Sequence, residues 1–128
     1  MKASKENPSR IEEAGPVTAI FSEVGDYTVN FMTLHVDLDM SPLLRGLPGD
    51  RCTAEHWGYV TKGSMTFRNE DHDELVSAGE AFYATPGHVP ISNEPGTEYV
   101  QFTPTHQLGP IDEAIHRNLA AMQPAGEA

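Results

Sequence analysis

The chain has 128 residues, enough for one domain with one hydrophobic core. Its 8 Lys and Arg stand against 19 Asp and Glu, a formal charge of −11, which argues against a nucleic acid or an anionic membrane as partner because phosphate binding needs a basic surface. The single cysteine, Cys52, excludes an internal disulfide framework; no apolar run follows the charged N-terminus and none is long enough to span a bilayer, so the expectation is a cytoplasmic protein.

Residues 1–14 are polar and carry six charges, at Lys2, Lys5, Glu6, Arg10, Glu12 and Glu13. They read as a flexible tail, or at most a helical turn around Ile11. Gly15-Pro16 punctuates the chain, and from Val17 the pattern becomes that of strands. Val17 to Val24 is the first. After a Gly25-Asp26 turn, Tyr27 to Leu38 is a longer one, with Met32, Leu34, Val36 and Leu38 alternating on one face. Residues 41–50 hold Pro42, Gly46, Pro48 and Gly49 and read as a loop. Strands follow over 55–61, 65–68, from 75, over 81–84, 88–92 and 98–103, separated by turn residues. Eight to ten short strands with no helix between them predict an antiparallel barrel or sandwich over 15–106.

Residues 107–128 differ. Ile111, Ile115, Leu119 and Met122 fall at helical spacing. Pro110 suits the first helical position, Asp112 and Glu113 suit the first turn, and Pro124 suits a stop. The expectation is a C-terminal helix whose apolar stripe packs on the barrel or on a partner subunit.

Two stretches are dense in reactive groups. One runs from Cys52 through Glu55-His56-Trp57-Gly58-Tyr59-Val60 to Gly63; the other is Gly79-Glu80-Ala81-Phe82-Tyr83 followed by Pro86-Gly87-His88. Together they resemble the two signature motifs of the cupin superfamily, with Gly63 closing the first and Gly79 and Gly87 in the glycine places of the second. The resemblance covers residues 45–95. It implies an all-β fold, an antiparallel double-stranded β-helix or jelly roll, here with a short C-terminal α-helix. It also implies a small-molecule site inside the barrel.

The usual cupin metal ligands are not in place. The family's glutamate position holds His56, its paired histidine positions hold Asp50 and Cys52, and its last histidine position holds Pro90. Thr85 stands where the family has proline, and Glu94 where it has asparagine. Strand parity restores part of a site, since residues two apart share a face. His56 occupies an inward position, Gly58 and Val60 follow it, His88 shares the parity of Pro90, and Cys52 faces the same cavity if the strand is regular there. A thiolate with two imidazoles, from Cys52, His56 and His88, would suit a divalent metal, zinc before iron, manganese or nickel. The alternative is a small buried cysteine and two hydrogen-bonded, metal-free histidines.

His35 is expected to be a half-exposed strand residue rather than a further ligand, and His72, His106 and His116 have no assigned role. Trp57 and Tyr59 alternate with His56 and Gly58 and should point outward. Such a face suits a subunit interface, and the resemblance implies a homodimer. Of Phe82 and Tyr83, one should line the cavity. Two functions remain open: a metal-dependent enzyme acting on a small organic molecule, and a non-catalytic binding or sensing module for a small-molecule ligand. If a metal binds, affinity should weaken as pH falls through the histidine range.

Overall fold

The computed structural model describes residues 1–122, and its chain between Arg10 and Pro104 is built from nine strands. They are β1 (Arg10–Ala14), β2 (Val17–Val24), β3 (Tyr27–Leu34), β4 (His56–Lys62), β5 (Ser64–Arg68), β6 (Asp73–Ser77), β7 (Ala81–Ala84), β8 (Val89–Asn93) and β9 (Thr97–Pro104). One α-helix, α1 (Leu108–Ala121), follows. Every strand pairing is antiparallel. The order β1-β2-β3-β9-β4-β7 makes a six-stranded sheet, and β6-β5-β8 a three-stranded one. The inner faces meet over Leu34, Val60, Met65, Phe67, Val76, Phe82, Ala84 and Tyr99, all buried.

The sharp turns need their glycines. Gly63, Gly79 and Gly87 have φ of +78°, +91° and +96°, a region that costs a side-chain-bearing residue dearly. At Gly63 a Cβ would also press on Thr97, whose Cα would lie 3.1 Å away. The glycine spacing legible in the sequence is thus a record of these turns.

Three expectations need correction. Residues 10–14 are not part of a tail: they form β1, paired with β2 from Arg10↔Phe21 to Ala14↔Val17. Gly15, at φ +59°, and Pro16 make the two-residue hairpin turn between them. The barrel therefore starts at Arg10, not at residue 15. An edge strand with one open side tolerates charges, which is why Arg10, Glu12 and Glu13 disguised it. Second, β3 ends at Leu34, not at Leu38. Beyond it the chain leaves the sheet, and its backbone groups pair with Asn93: the Leu38 N–H donates to Asn93 Oδ1 at 3.0 Å and Asn93 Nδ2 donates to the Val36 carbonyl at 3.0 Å. Val36 is consequently exposed, while Leu38 still packs on the core. Third, the loop over 41–50 contains two short 3-10 turns, Ser41–Leu44 and Pro48–Asp50.

Helix α1 begins two residues before Pro110, which still lies in the first turn where its missing N–H is no loss. Pro124, expected to stop the helix, lies outside the described residues. Ile111 and Ala114 pack with Leu44, Leu47, Cys52, Ala54 and Val89 in a second core cluster. The helix is tied to β1 by Arg10–Asp112 at 3.7 Å and by His116 Nε2–Glu12 Oε1 at 2.8 Å. Among the described residues no helix is long and apolar enough to cross a membrane.

The outer face of the larger sheet is apolar as well. Trp57 pairs with Phe102, which pairs with Val29; Tyr59 pairs with Val100, which pairs with Phe31. Tyr83 lies beside Trp57 with ring centroids 5.0 Å apart, and Tyr27 meets its edge at 6.1 Å. Trp57, Tyr59, Tyr83 and Phe102 are each 39–43% exposed. The outward expectation for Trp57 and Tyr59 therefore holds, and Phe82, not Tyr83, faces inward.

Candidate metal and ligand site

The two signature segments meet at a backbone bridge. Cys52 N–H donates to the His88 carbonyl at 3.1 Å, and Gly87 N–H donates to the Cys52 carbonyl at 2.7 Å. Cys52 is thereby placed next to His88 although no regular strand runs through it. His56 opens β4, one strand away from β9 on one side and β7 on the other. Cys52, His56 and His88 are all buried, with one ligand atom of each within 4.8 Å of the others.

Each imidazole is oriented by a partner on Nδ1. His56 Nδ1 is 2.6 Å from Thr103 Oγ1, and His88 Nδ1 is 2.6 Å from the Thr85 carbonyl. The Thr85 carbonyl only accepts, so His88 carries its proton on Nδ1 and leaves Nε2 with a free lone pair. The Thr103 hydroxyl can accept in the same way, and a His56 that donates to it from Nδ1 has the same tautomer. Its Nε2 lies 3.6 Å from Cys52 Sγ. Zinc bonds of about 2.0–2.1 Å to nitrogen and about 2.3 Å to sulfur put the two donors of a tetrahedral site about 3.5 Å apart. The donor set and its outer support fit a zinc-like ion.

Burial keeps all three groups neutral without an ion. It pushes the Cys52 thiol up to about 11 and the His56 imidazole down to about 3, with His88 adding to the latter. It lowers His88 too, against the opposing effect of the hydrogen bond that His88 donates to the Thr85 carbonyl. At neutral pH the proton that a metal bound by all three groups would displace is the one on the thiol.

The site opens into a cavity of about 330 Å³. Met32, Leu38, Met40, Leu43, Ile115 and Leu119 supply its apolar walls, so the stripe of α1 closes one side. Asn30, Gln101 and Tyr99 face it from β3 and β9. The hydroxyl of Tyr99 is raised by its burial and secondarily by Cys52, so it stays protonated.

The other positions fall elsewhere. Asp50 is exposed and accepts the Gly46 N–H at 3.0 Å. Pro90 lines the cavity wall, and Glu94 is exposed. His35 is exposed and bonds Thr18 at 2.8 Å; His72 pairs with Asp71 in a surface turn; His106 is exposed. Thr103, Asn30 and Gln101 escaped the sequence reading. Their signal was parity: Thr97, Tyr99, Gln101 and Thr103 alternate along β9, putting polar residues on a face that an ordinary core would make apolar.

Neither a family model nor a curated protein sequence matches the chain. Solved structures do. A structure of KdgF from Halomonas sp. aligns with TM-score 0.54 at 17% identity, covering 74% of this chain and 87% of its own. An RmlC-like cupin from Shewanella frigidimarina aligns with TM-score 0.55 at 14% identity, covering 80% and 88%. The polyketide cyclase RemF from Streptomyces resistomycificus aligns with TM-score 0.54 at 17% identity, covering 82% and 79%. At these identities the likeness is one of fold. The chain folds as a small cupin.

Proposed function

We propose that this cupin binds a divalent metal, zinc by preference, through Cys52, His56 and His88, and acts as an enzyme on a small organic molecule held in the adjoining cavity. The observation that carries the reading is the convergence of two imidazole Nε2 atoms and one thiol, each imidazole held at Nδ1 by Thr103 or Thr85. A soft sulfur donor favours zinc over iron, manganese or nickel. When bound, such an ion supplies Lewis acidity toward a carbonyl or an ionised water. The chain's own residues orient and enclose: Thr103 and Thr85 fix the imidazoles, Cys52 releases its thiol proton, and the walls from Met32 to Leu119 exclude water. RemF, which shares the fold, is a cyclase, an analogy that supports catalysis without specifying a reaction.

A second reading, a non-catalytic binding module, draws on the carboxylates. Those that line the cavity, Glu12, Asp39 and Asp112, are half-buried or exposed, so none is buried beside the imidazoles as a ready acid or base. We also read the outer aromatic face as a homodimer contact, and the free thiol at the site as suited to the cytoplasm.

Elemental analysis of protein purified without added metal tests the first reading. The expected result is about one zinc per chain, lost in His56→Ala and in His88→Ala while the circular dichroism of the barrel persists. Metal-free wild-type protein that takes up no zinc on dialysis would overturn it.

A further inference from the structure

Asn30 sits on β3, in the sheet's interior, and its side chain lines the cavity. It is 6% exposed, and its Oδ1 is a buried side-chain oxygen with no hydrogen-bond partner among the described residues. Leaving such a group unpaired costs stability that an apolar residue of the same shape would not. Its neighbour across the β3–β9 ladder is Gln101, a second buried amide facing the same space. Gln101 in turn pairs with Gly58, two residues along β4 from His56. Two strand residues span about 6.8 Å, so the amide pair lies one inward-facing step from the imidazole row. Gly58 can carry no side chain there, because its Cβ would meet the Phe82 ring and lie 2.7 Å from the Val100 carbonyl.

The rest of the wall disfavours negative ligand charge. Among the described lining residues none is Lys or Arg. Arg10, which pairs with two of the lining carboxylates, stacks on Phe21 at 4.0 Å and faces Asp112 at 3.7 Å and Glu12 at 3.9 Å. In the metal-free protein an anionic ligand would meet the half-buried Glu12 and Asp112, whose partners Arg10 and His116 are already engaged. A neutral ligand with an apolar body fills the walls, and one polar group on it has an amide waiting. A hydroxyl meets that amide in either orientation, because it both donates and accepts.

We propose that Asn30, flanked by Gln101, recognises the hydroxyl group of a neutral, mainly apolar small molecule bound in this cavity. The inference rests on reading the cavity as a small-molecule site, as above, and does not need the metal. It makes Asn30 a specificity-determining residue: the same wall with Leu at position 30 would bind apolar bodies without regard to the hydroxyl.

The test uses three probes of one shape on the protein as purified: 2-naphthol, 2-methylnaphthalene and 2-naphthoate, each titrated by calorimetry. Wild-type protein should bind 2-naphthol about tenfold more tightly than the methyl analogue, the effect of one well-placed hydrogen bond in a buried site, and after chelation it should bind 2-naphthoate more weakly still. Asn30→Leu should bring the hydroxyl-to-methyl ratio to about one and raise the melting temperature of the free protein, since the unpaired amide is gone. Should Asn30→Leu not fold, Gln101→Met serves in its place, with the ratio expected to fall. An unchanged ratio in the folded variant, failure of wild-type protein to bind either neutral probe, or a preference for 2-naphthoate after chelation overturns the proposal. The same titration after chelation separates the two readings. A hydroxyl preference kept in protein that binds no zinc overturns the metal assignment alone, and one that vanishes with the metal while Asn30 is intact overturns the role of Asn30.

Discussion

His56 and His88 meet edge to face, ring centroids 4.9 Å apart and planes at 71°, each with Nδ1 turned away into the protein. Two buried imidazoles so placed cannot both be charged, and burial depresses both. Burial therefore favours the neutral form of both, the form whose free nitrogen can ligate.

The first prediction concerns which proton opposes zinc. With His56 neutral down to about 3 and the Cys52 thiol protonated up to about 11, binding releases one proton, from sulfur. Zinc affinity of wild-type protein should rise about tenfold per pH unit between about pH 6 and 9. Cys52→Ala should bind more weakly, with affinity nearly flat over the same range. Competition against a chromophoric chelator measures both slopes; equal slopes in the two proteins would rule out Cys52 as a ligand.

A second prediction is an acid limb in the metal-free protein. The unfolded chain takes a proton on His56 near 6.5 and the folded one only near 3. The unfolded state therefore binds more protons as pH falls, and stability present above about pH 6.5 is lost below it. Between pH 6.5 and about 5 this group alone removes up to about 2 kcal/mol. Urea unfolding at the two pH values should show a loss smaller by about that amount in His56→Gln.

Gly58 should resist even one methyl group. A Cβ there meets the Phe82 ring and a backbone carbonyl, that of Val100, and the carbonyl cannot swing aside as a side-chain tip can. Gly58→Ala should be destabilised by about 1–3 kcal/mol, the usual range for overpacking, and should perturb the amide row beside it. A denaturant midpoint within error of wild type would show that the two strands separate more easily than their register implies.

The outer aromatic face yields the last prediction. Sedimentation equilibrium should give twice the 14.0 kDa protomer mass, and Trp57→Glu should give a single protomer, because a charge at the centre of an apolar contact is left unpaired. A wild-type monomer at micromolar concentration would leave Trp57, Tyr59, Tyr83 and Phe102 without a partner of this kind.

Most of the barrel was legible in the residues because strand parity and turn glycines are local. Gly63, Gly79 and Gly87 marked turns at positive φ, and the alternation of His56, Gly58 and Val60 against Trp57 and Tyr59 set inside from outside. The edge strand Arg10–Ala14 was not legible, since an edge tolerates the charges that a tail also carries. Nor was the departure of the chain after Leu34, which depends on Asn93, 57 positions away from Val36.

The sequence by itself determined the strand and turn pattern, the inward parity of His56 and His88, and the presence of a C-terminal amphipathic helix. Each is written within a few residues, by period and by backbone preference. Only the tertiary structure decided that Cys52 lies against His88, that Thr103 and Thr85 aim the imidazoles, that α1 walls a cavity, and that Asn30 lines that cavity with its side-chain oxygen buried and unpaired among the described residues. Those facts depend on which strands become neighbours across gaps of tens of residues. Pairing partners and buried hydrogen-bond satisfaction are properties of the packed sheet, and no single stretch of chain contains them.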